Sequence, residues 1–332
     1  MSNKKEHIMV TGTAGFIGFH LAGALLREGY SVIGVDNLND YYSVELKEAR
    51  SEKLRAYPEF TEQRVDISNI EEFGQIFQKY KISRICHLAA QAGVRYSIEH
   101  PHVYEQSNLA AFLNVLEMTR HNNVPRLVYA SSSSVYGGNT NMPFSETDRV
   151  DTPISLYAAT KKANELMAHC YSHLYGFQTV GLRFFTVYGP WGRPDMAMWL
   201  FAEAIRKDKP IKVFNYGNMK RDFTYIDDIV NGIRGALFAE GLEKYEVFNL
   251  GNHKSEQLMD MIALIEKEMG KKAEKEMLPM QPGDVPESYA DVEKAHIKLG
   301  FTPSTSISEG IPAFIGWYKE HSALTGRIAD NR

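Results

Sequence analysis

A tyrosine and a lysine four residues apart, Tyr157 and Lys161, stand in the run Ser155-Leu156-Tyr157-Ala158-Ala159-Thr160-Lys161-Lys162-Ala163, which has helical character. Four residues is about one helical turn, so the phenol and the ammonium leave the same face. A free tyrosine has a pKa of about 10, too high for a base at neutral pH, and a fixed cation beside it favours the phenolate. The pattern predicts a tyrosine base tuned by a lysine, although the same spacing also describes an ordinary solvated helix face. Upstream, Ser132 lies in Ser131-Ser132-Ser133-Ser134-Val135-Tyr136-Gly137, directly after an apolar, strand-like run. A serine run is often only a flexible loop, but one at the carboxyl end of a strand is placed to hold a substrate hydroxyl.

The elements that must position these groups begin near the start. Ile8-Met9-Val10-Thr11 reads as a buried strand and leads into Gly12-Thr13-Ala14-Gly15-Phe16-Ile17-Gly18, followed by a helical pattern through Arg27. Gly12 allows a tight turn, Gly15 lets a pyrophosphate approach the backbone, and Gly18 lets helix and strand pack closely. Phe16 and Ile17 then open a helix whose free N–H groups face the phosphates. A second apolar strand ends at Asp36, followed by Asn37. An acidic residue there accepts hydrogen bonds from both ribose hydroxyls and repels a 2′-phosphate, so the expected cofactor is NAD.

Strands and helices keep alternating, with a strand ending at Asp66, another through Arg84–Ala90, and a third at Arg126–Ala130. This predicts an α/β fold, a Rossmann-like doubly wound parallel sheet with ligands at the carboxyl ends of its strands. Asp66 and Ile67 are expected beside the adenine. Leu88, Ala89, Ala90 and Gln91 should pass near the phosphates or the nicotinamide ribose. His87 reads as a buried, backbone-bonded histidine rather than a catalytic one.

Composition sets limits. The 332 residues carry a net charge of -4 with no long basic run, so nucleic acid and anionic membrane are not expected partners. No apolar stretch is long enough to span a membrane, and the polar run Met1 to His7 is unlike a signal peptide. Cys86 and Cys170 read as buried thiols in a reducing compartment, with no metal-ligand spacing, so a cytoplasmic protein without a metal is expected.

Taken together, the glycine triplet, Ser132, Tyr157 and Lys161 resemble the extended short-chain dehydrogenase/reductases, specifically the nucleotide-sugar epimerases. The resemblance implies that Ser132 steadies the sugar's 4-hydroxyl, that Tyr157 removes its proton, and that Lys161 lowers the tyrosine's pKa and holds the nicotinamide ribose. The runs Gly181 to Met196 and Arg221 to Asp228 are similar to UDP-glucuronate 4-epimerases, with related motifs from residue 8 to about 300. That implies reversible, NAD-dependent C4 epimerisation of UDP-glucuronate to UDP-galacturonate through a 4-keto intermediate. Related 4,6-dehydratases and UDP-glucuronate decarboxylases place carboxylates in the serine loop, where this chain has Ser133 and Ser134.

Thr186 stands where galactose-type epimerases of the family carry asparagine. With Arg193 it forms an expected clamp on the C6 carboxylate, since a guanidinium matches carboxylate geometry. Arg193 capping a loop or pairing with Asp195 is the alternative, and Arg95 is the rival cation. Val213 and Phe214 resemble the uracil-stacking segment, although the run also reads as an edge strand. Arg221 resembles the diphosphate-binding arginine. Asp284 ends Met280-Gln281-Pro282-Gly283-Asp284, which matches the later nucleotide-binding segment except that Gln281 replaces an arginine.

The expected organisation is an NAD-binding domain of residues 1–180, 223–252 and 311–322, with a smaller, discontinuous α/β UDP-sugar domain of 181–222 and 253–310. The resemblance also implies a homodimer through the helices following Val103 and Ile154. A UDP-glucuronate decarboxylase, a UDP-glucose 4-epimerase and a noncatalytic NAD-binding regulator are the alternative readings.

Overall fold

Val32–Asp36 is buried along nearly its whole length, as a strand covered on both faces must be. Six similar strands join it. In chain order they are β1 (Glu6–Thr11), β2 (Val32–Asp36), β3 (Phe60–Arg64), β4 (Lys81–His87), β5 (Arg126–Ser132), β6 (Gln178–Phe184) and β7 (Tyr245–Leu250). The computed structural model describes residues 6–281 and 283–321. All seven strands are parallel, in the order β7-β6-β5-β4-β1-β2-β3. The order reverses between β1 and β4, and the crevice at that switch point is where a doubly wound sheet binds ligands.

The α-helices of seven or more residues are α1 (Phe16–Arg27), α2 (Val44–Arg55), α3 (Ile70–Lys79), α4 (Ala111–His121), α5 (Leu156–Tyr175), α6 (Ala197–Arg206), α7 (Ile226–Phe238), α8 (Leu258–Met269), α9 (Glu293–Leu299) and α10 (Ile307–Glu320). One face of the sheet packs on α1, α7 and α9 through Leu21, Leu25, Ile229, Ile233 and Leu299. The other packs on α3, α4 and α5 through Phe73, Ile76, Phe112, Val115 and Ala168. A separate core joins α6, α8 and α10 through Trp199, Ile205, Met261, Ile265, Phe314 and Tyr318. Short strands accompany that second core: Ile211–Val213 pairs with Lys275–Met277, and Lys220–Arg221 lies between Glu256–Gln257 and Glu287–Ser288.

Three placements differ from the expected division. Residues 181–184 belong to β6 of the central sheet, because the buried strand continues to Phe184. Helix α9, expected with the sugar-binding part, covers the central sheet because Ala295 and Leu299 join that core. Helix α10, expected on the first domain, packs on α6 and α8 because its aromatic face meets Trp199. Residues 1–5 and 322–332, and Pro282 of the nucleotide segment, lie outside the described residues.

Candidate active site

The turn after β1 is built on absent side chains. A Cβ on Gly18 would lie 2.0 Å from Gly12 O, and one on Gly12, whose φ is +77°, 2.9 Å from the Ala89 nitrogen. The turn therefore seats α1 against itself and against the residues following β4. Gly15 is the N-cap of α1 and offers no side-chain cap, and no acidic residue occupies the first turn. The leading N–H groups are left for a ligand.

Asp36 ends β2, its Oδ2 accepting from Ala14 N at 3.0 Å and its Oδ1 from Leu38 N at 2.8 Å. Burial pushes its carboxyl above the usual range, opposed by those two bonds and by the Lys47 charge. Asn37 donates to Asp66 at 3.0 Å. Asp66 is held below the usual range because the Ser68 and Asn37 bonds outweigh its desolvation.

Helix α5 is delimited by its ends. Ser155 caps it by accepting from Ala158 N at 3.1 Å, and Gly176 closes it in the left-handed conformation. Its first turns carry Tyr157 and Lys161. Before α4, the π-helical segment Glu105–Ala110 turns Asn108 inward. Asn108 exchanges hydrogen bonds with the Gln91 backbone at 2.8 and 3.0 Å, donates to Thr160 Oγ1 at 3.1 Å, and receives Asn164 Nδ2 on its carbonyl at 2.7 Å. One residue thus fixes α5 to the segment following β4.

A single cavity gathers Gly12, Gly15, Phe16, Ile17, Gly18, Asp36, Asn37, Asp66, Ile67 and Leu88 to Gln91 with Ser132, Tyr157, Lys161 and Arg193. Ser132 shares this cavity with the Tyr157 phenol and acts to lower its pKa. The expected lysine tuning takes a different form. Lys161 Nζ donates to Ala130 O at 2.9 Å, and burial lowers its pKa to about 8. Burial raises the Tyr157 pKa, against Ser132 and the Arg193 charge. One of the ammonium's three donors goes to a strand carbonyl, which leaves two for a ligand, and the cation that opposes burial at the phenol is Arg193.

Arg193 Nη2 lies 2.5 Å from Asp195 Oδ2 and its Nε 3.1 Å from Oδ1, so the alternative pairing is the one formed. Burial works against the guanidinium's charge, but Asp195 outweighs it and raises the pKa. Thr186 lines a smaller adjoining cavity together with Arg193. Ser133 and Ser134 belong to a 3-10 turn, with Ser132 Oγ 3.1 Å from Ser134 Oγ.

The remaining expected residues lie apart from this cavity. Arg95 stands over the Phe214 ring at 5.7 Å, and Arg221 donates to Asp284 at 2.6 Å. Val213 is fully buried in the second core, so its side chain does not face a ligand. His87 is buried as expected, but its partner is the Thr11 hydroxyl at 2.9 Å rather than backbone. Cys86 is buried, whereas Cys170 is exposed on the outer side of α5.

Sequence reasoning missed Asn39, Tyr41 and Lys47, which also line the main cavity. Lys47 donates to Asn39 O at 2.5 Å, and burial lowers its pKa to about 8. Asn39 was legible from its place in the loop following Asp36. Lys47 was not, since a lysine in a polar helix reads as solvated.

A model of the GDP-mannose 4,6 dehydratase family matches residues 9–314. The chain belongs to this family. Within the GDP-mannose 4,6 dehydratase family, it is 50% identical to Protein CapI of Staphylococcus aureus, over 95% of this chain and 98% of that one. It is 46% identical to UDP-glucuronate 4-epimerase of Thermodesulfobacterium geofontis, over 97% and 99%. The solved UDP-glucuronic acid 4-epimerase of Bacillus cereus, in complex with UDP-glucuronic acid and NAD, aligns with a TM-score of 0.88 at 36% identity, covering 95% of this chain and 99% of that one.

Proposed function

We propose that the protein is an NAD-dependent UDP-glucuronate 4-epimerase, interconverting UDP-glucuronate and UDP-galacturonate through a 4-keto intermediate. The observation that carries this reading is a cation, Arg193, in the same cavity as Ser132, Tyr157 and the glycine turn. Around Ser132 the loop holds hydroxyls and no carboxylate, which opposes dehydration and decarboxylation. The B. cereus enzyme, solved with both ligands, supports the same assignment.

The residues present fit the cofactor. The turn that a Cβ on Gly18 would fill leaves uncapped N–H groups for a pyrophosphate, and Asp36 and Asn37 stand at the ribose end. When bound, NAD supplies the acceptor and later donor of the C4 hydride. Ser132 orients the 4-hydroxyl, and Tyr157 takes its proton and returns it after the 4-keto sugar has turned over. Lys161 holds the nicotinamide ribose. Arg193, with Thr186 beside it, engages the C6 carboxylate, and Asp195 must share or yield the guanidinium.

In this reading residues 185–222, 253–290 and α10 form most of the UDP-binding part, with Arg221 and Asp284 at the diphosphate and Phe214 at the base. Arg95 is a secondary cation. The protein is a cytoplasmic homodimer, a reading supported by two unpaired thiols and by exposed Leu113, Leu166 and Leu174 on α4 and α5. No helix among the described residues is long and apolar enough to cross a membrane. Leu166→Glu should give a monomer in sedimentation velocity if that face joins the subunits.

The deciding experiment incubates purified protein with UDP-glucuronate, without added NAD, and separates the nucleotide sugars by chromatography with mass detection. An isomer of unchanged mass co-eluting with UDP-galacturonate establishes the activity with retained cofactor. A product lighter by carbon dioxide assigns decarboxylation instead.

A further inference from the structure

The turn that presents Arg193 has three successive carbonyls held by side chains from α1 and α2. His20 Nε2 lies 2.9 Å from Pro190 O. Arg50 Nη2 donates to Trp191 O at 2.7 Å and to Gly192 O at 3.1 Å. The other arm of the same guanidinium, Nη1, donates to Ala14 O at 2.7 Å and to Tyr42 Oη at 2.8 Å. Ala14 lies inside the glycine turn. Arg50 therefore bridges the proposed pyrophosphate turn and the residue next to Arg193, and it is fully buried.

We propose that Arg50, assisted by His20, is a positioning residue that locks the Arg193 turn to the cofactor turn and so fixes where the substrate carboxylate is held. This rests on the reading of the protein as a UDP-glucuronate 4-epimerase. A buried charge is costly, and an apolar side chain would fill the same volume at lower cost. What a planar guanidinium does, and a methylene chain does not, is hold carbonyls of two loops at once. Trp191 adopts φ +59°, a left-handed conformation unusual for a side chain of that size, so the turn needs outside support. The rings of Phe19 and Trp317 beside it, with centroids at 5.5 and 5.2 Å, complete that support. Burial lowers the His20 pKa to about 4, so it is neutral at physiological pH and donates through Nε2–H to the carbonyl.

The consequence is chemical. In its 4-keto form the substrate is a β-keto acid. Losing carbon dioxide breaks the C5–C6 bond and leaves the electron pair in an enolate at C4 and C5. A proton taken up at C5 then gives a 4-keto pentose. That loss is slow only while the C5–C6 bond is kept away from the carbonyl π orbital, so a displaced Arg193 should leak pentose.

The test compares wild type, Arg50→Met, Arg50→Lys and His20→Phe as NAD-containing proteins, measuring kcat, KM for UDP-glucuronate and the ratio of lighter product to epimer. Arg50→Met and Arg50→Lys should raise KM at least tenfold and raise the lighter fraction several-fold, because one ammonium cannot span both loops. His20→Phe, which removes only the Pro190 bond, should shift the ratio in the same direction by less. Wild type making epimer while the folded Arg50 variants keep its KM and product ratio overturns the proposal alone. If neither Arg50 variant folds, an unchanged ratio in His20→Phe overturns it. Wild type making no epimer overturns the functional reading, and this proposal with it.

Discussion

Lys161 Nζ donates to the carbonyl oxygen of Ala130 at 2.9 Å, binding the second turn of α5 to the end of β5 just before the serine loop. Burial lowers the Lys161 pKa to about 8, well below that of a free lysine. Above about pH 8 the native lysine loses its proton while the unfolded chain keeps one up to about pH 10.5, so this group makes the native state more stable as pH rises through that window. Activity should move the other way, with kcat/KM falling up to about tenfold per pH unit above pH 8. Lys161→Met should abolish the pH-dependent rise in urea-unfolding free energy, and a rise that persists would assign it elsewhere.

Tyr157→Phe removes the proton acceptor and little volume. The expected loss in kcat is about 10²- to 10⁴-fold, with NAD content and nucleotide-sugar affinity near wild type. Undiminished turnover would remove Tyr157 as the base, and a wild type that binds NAD but turns over no UDP-glucuronate would favour a noncatalytic NAD-binding protein.

Arg193→Ala should raise KM for UDP-glucuronate by about 10- to 100-fold, the range of a charge-assisted hydrogen bond worth about 1.5–3 kcal/mol. Pentose product should accompany it. Unchanged kinetics without pentose would remove Arg193 from the carboxylate site.

Gly18→Ala places a methyl 2.0 Å from Gly12 O, a contact with backbone that no rotamer relieves. The turn must open, at a cost of about 1–3 kcal/mol. Purified protein should carry less NAD, measured by absorbance after denaturation, and melt at a lower temperature. Full NAD content would show that the turn does not bind the pyrophosphate.

Glu165, one turn beyond Lys161, accepts from Arg183 at 2.8 and 2.9 Å and from Ser131 at 2.7 Å, fully buried. Burial alone would raise its pKa, but Arg183 and Ser131 hold it below the usual carboxylate range. Its stabilisation is complete above about pH 4.5 and lost as pH falls through the lower native value. Glu165→Gln leaves Arg183 buried without its counter-charge, and about 3–5 kcal/mol should be lost at pH 7. The gap from wild type should narrow below pH 4.5, as measured by urea unfolding, and a gap independent of pH would mean the pair does not act through charge.

Much of the site was legible because its signals are local. The spacing of Gly12, Gly15 and Gly18 describes one turn between one strand and one helix. Asp36 closes the next strand, and Tyr157 and Lys161 share a face through helical periodicity alone. Their cavity partners, from Asp66 to Gln91, followed from the rule that ligands collect at strand ends.

The electrostatics of that face were not legible. Spacing placed the ammonium beside the phenol, but the hydrogen bond it donates goes to the carbonyl of Ala130, 31 residues upstream. Burial, which no local pattern records, sets the direction of the Tyr157 and Lys161 shifts. The same holds for Val213, whose alternating pattern hid that it faces inward, and for Cys170, which sits on an exposed helix side.

By itself, the sequence determined the parallel sheet, the glycine turn and the identity of the serine, tyrosine and lysine, because apolar alternation and turn chemistry act between near neighbours. The tertiary structure decided which distant groups meet. Arg50 reaches Trp191 across 141 residues and His20 reaches Pro190 across 170. A hydrogen bond depends on distance in space, and the packing of α1 and α2 over the 189–193 turn sets that distance.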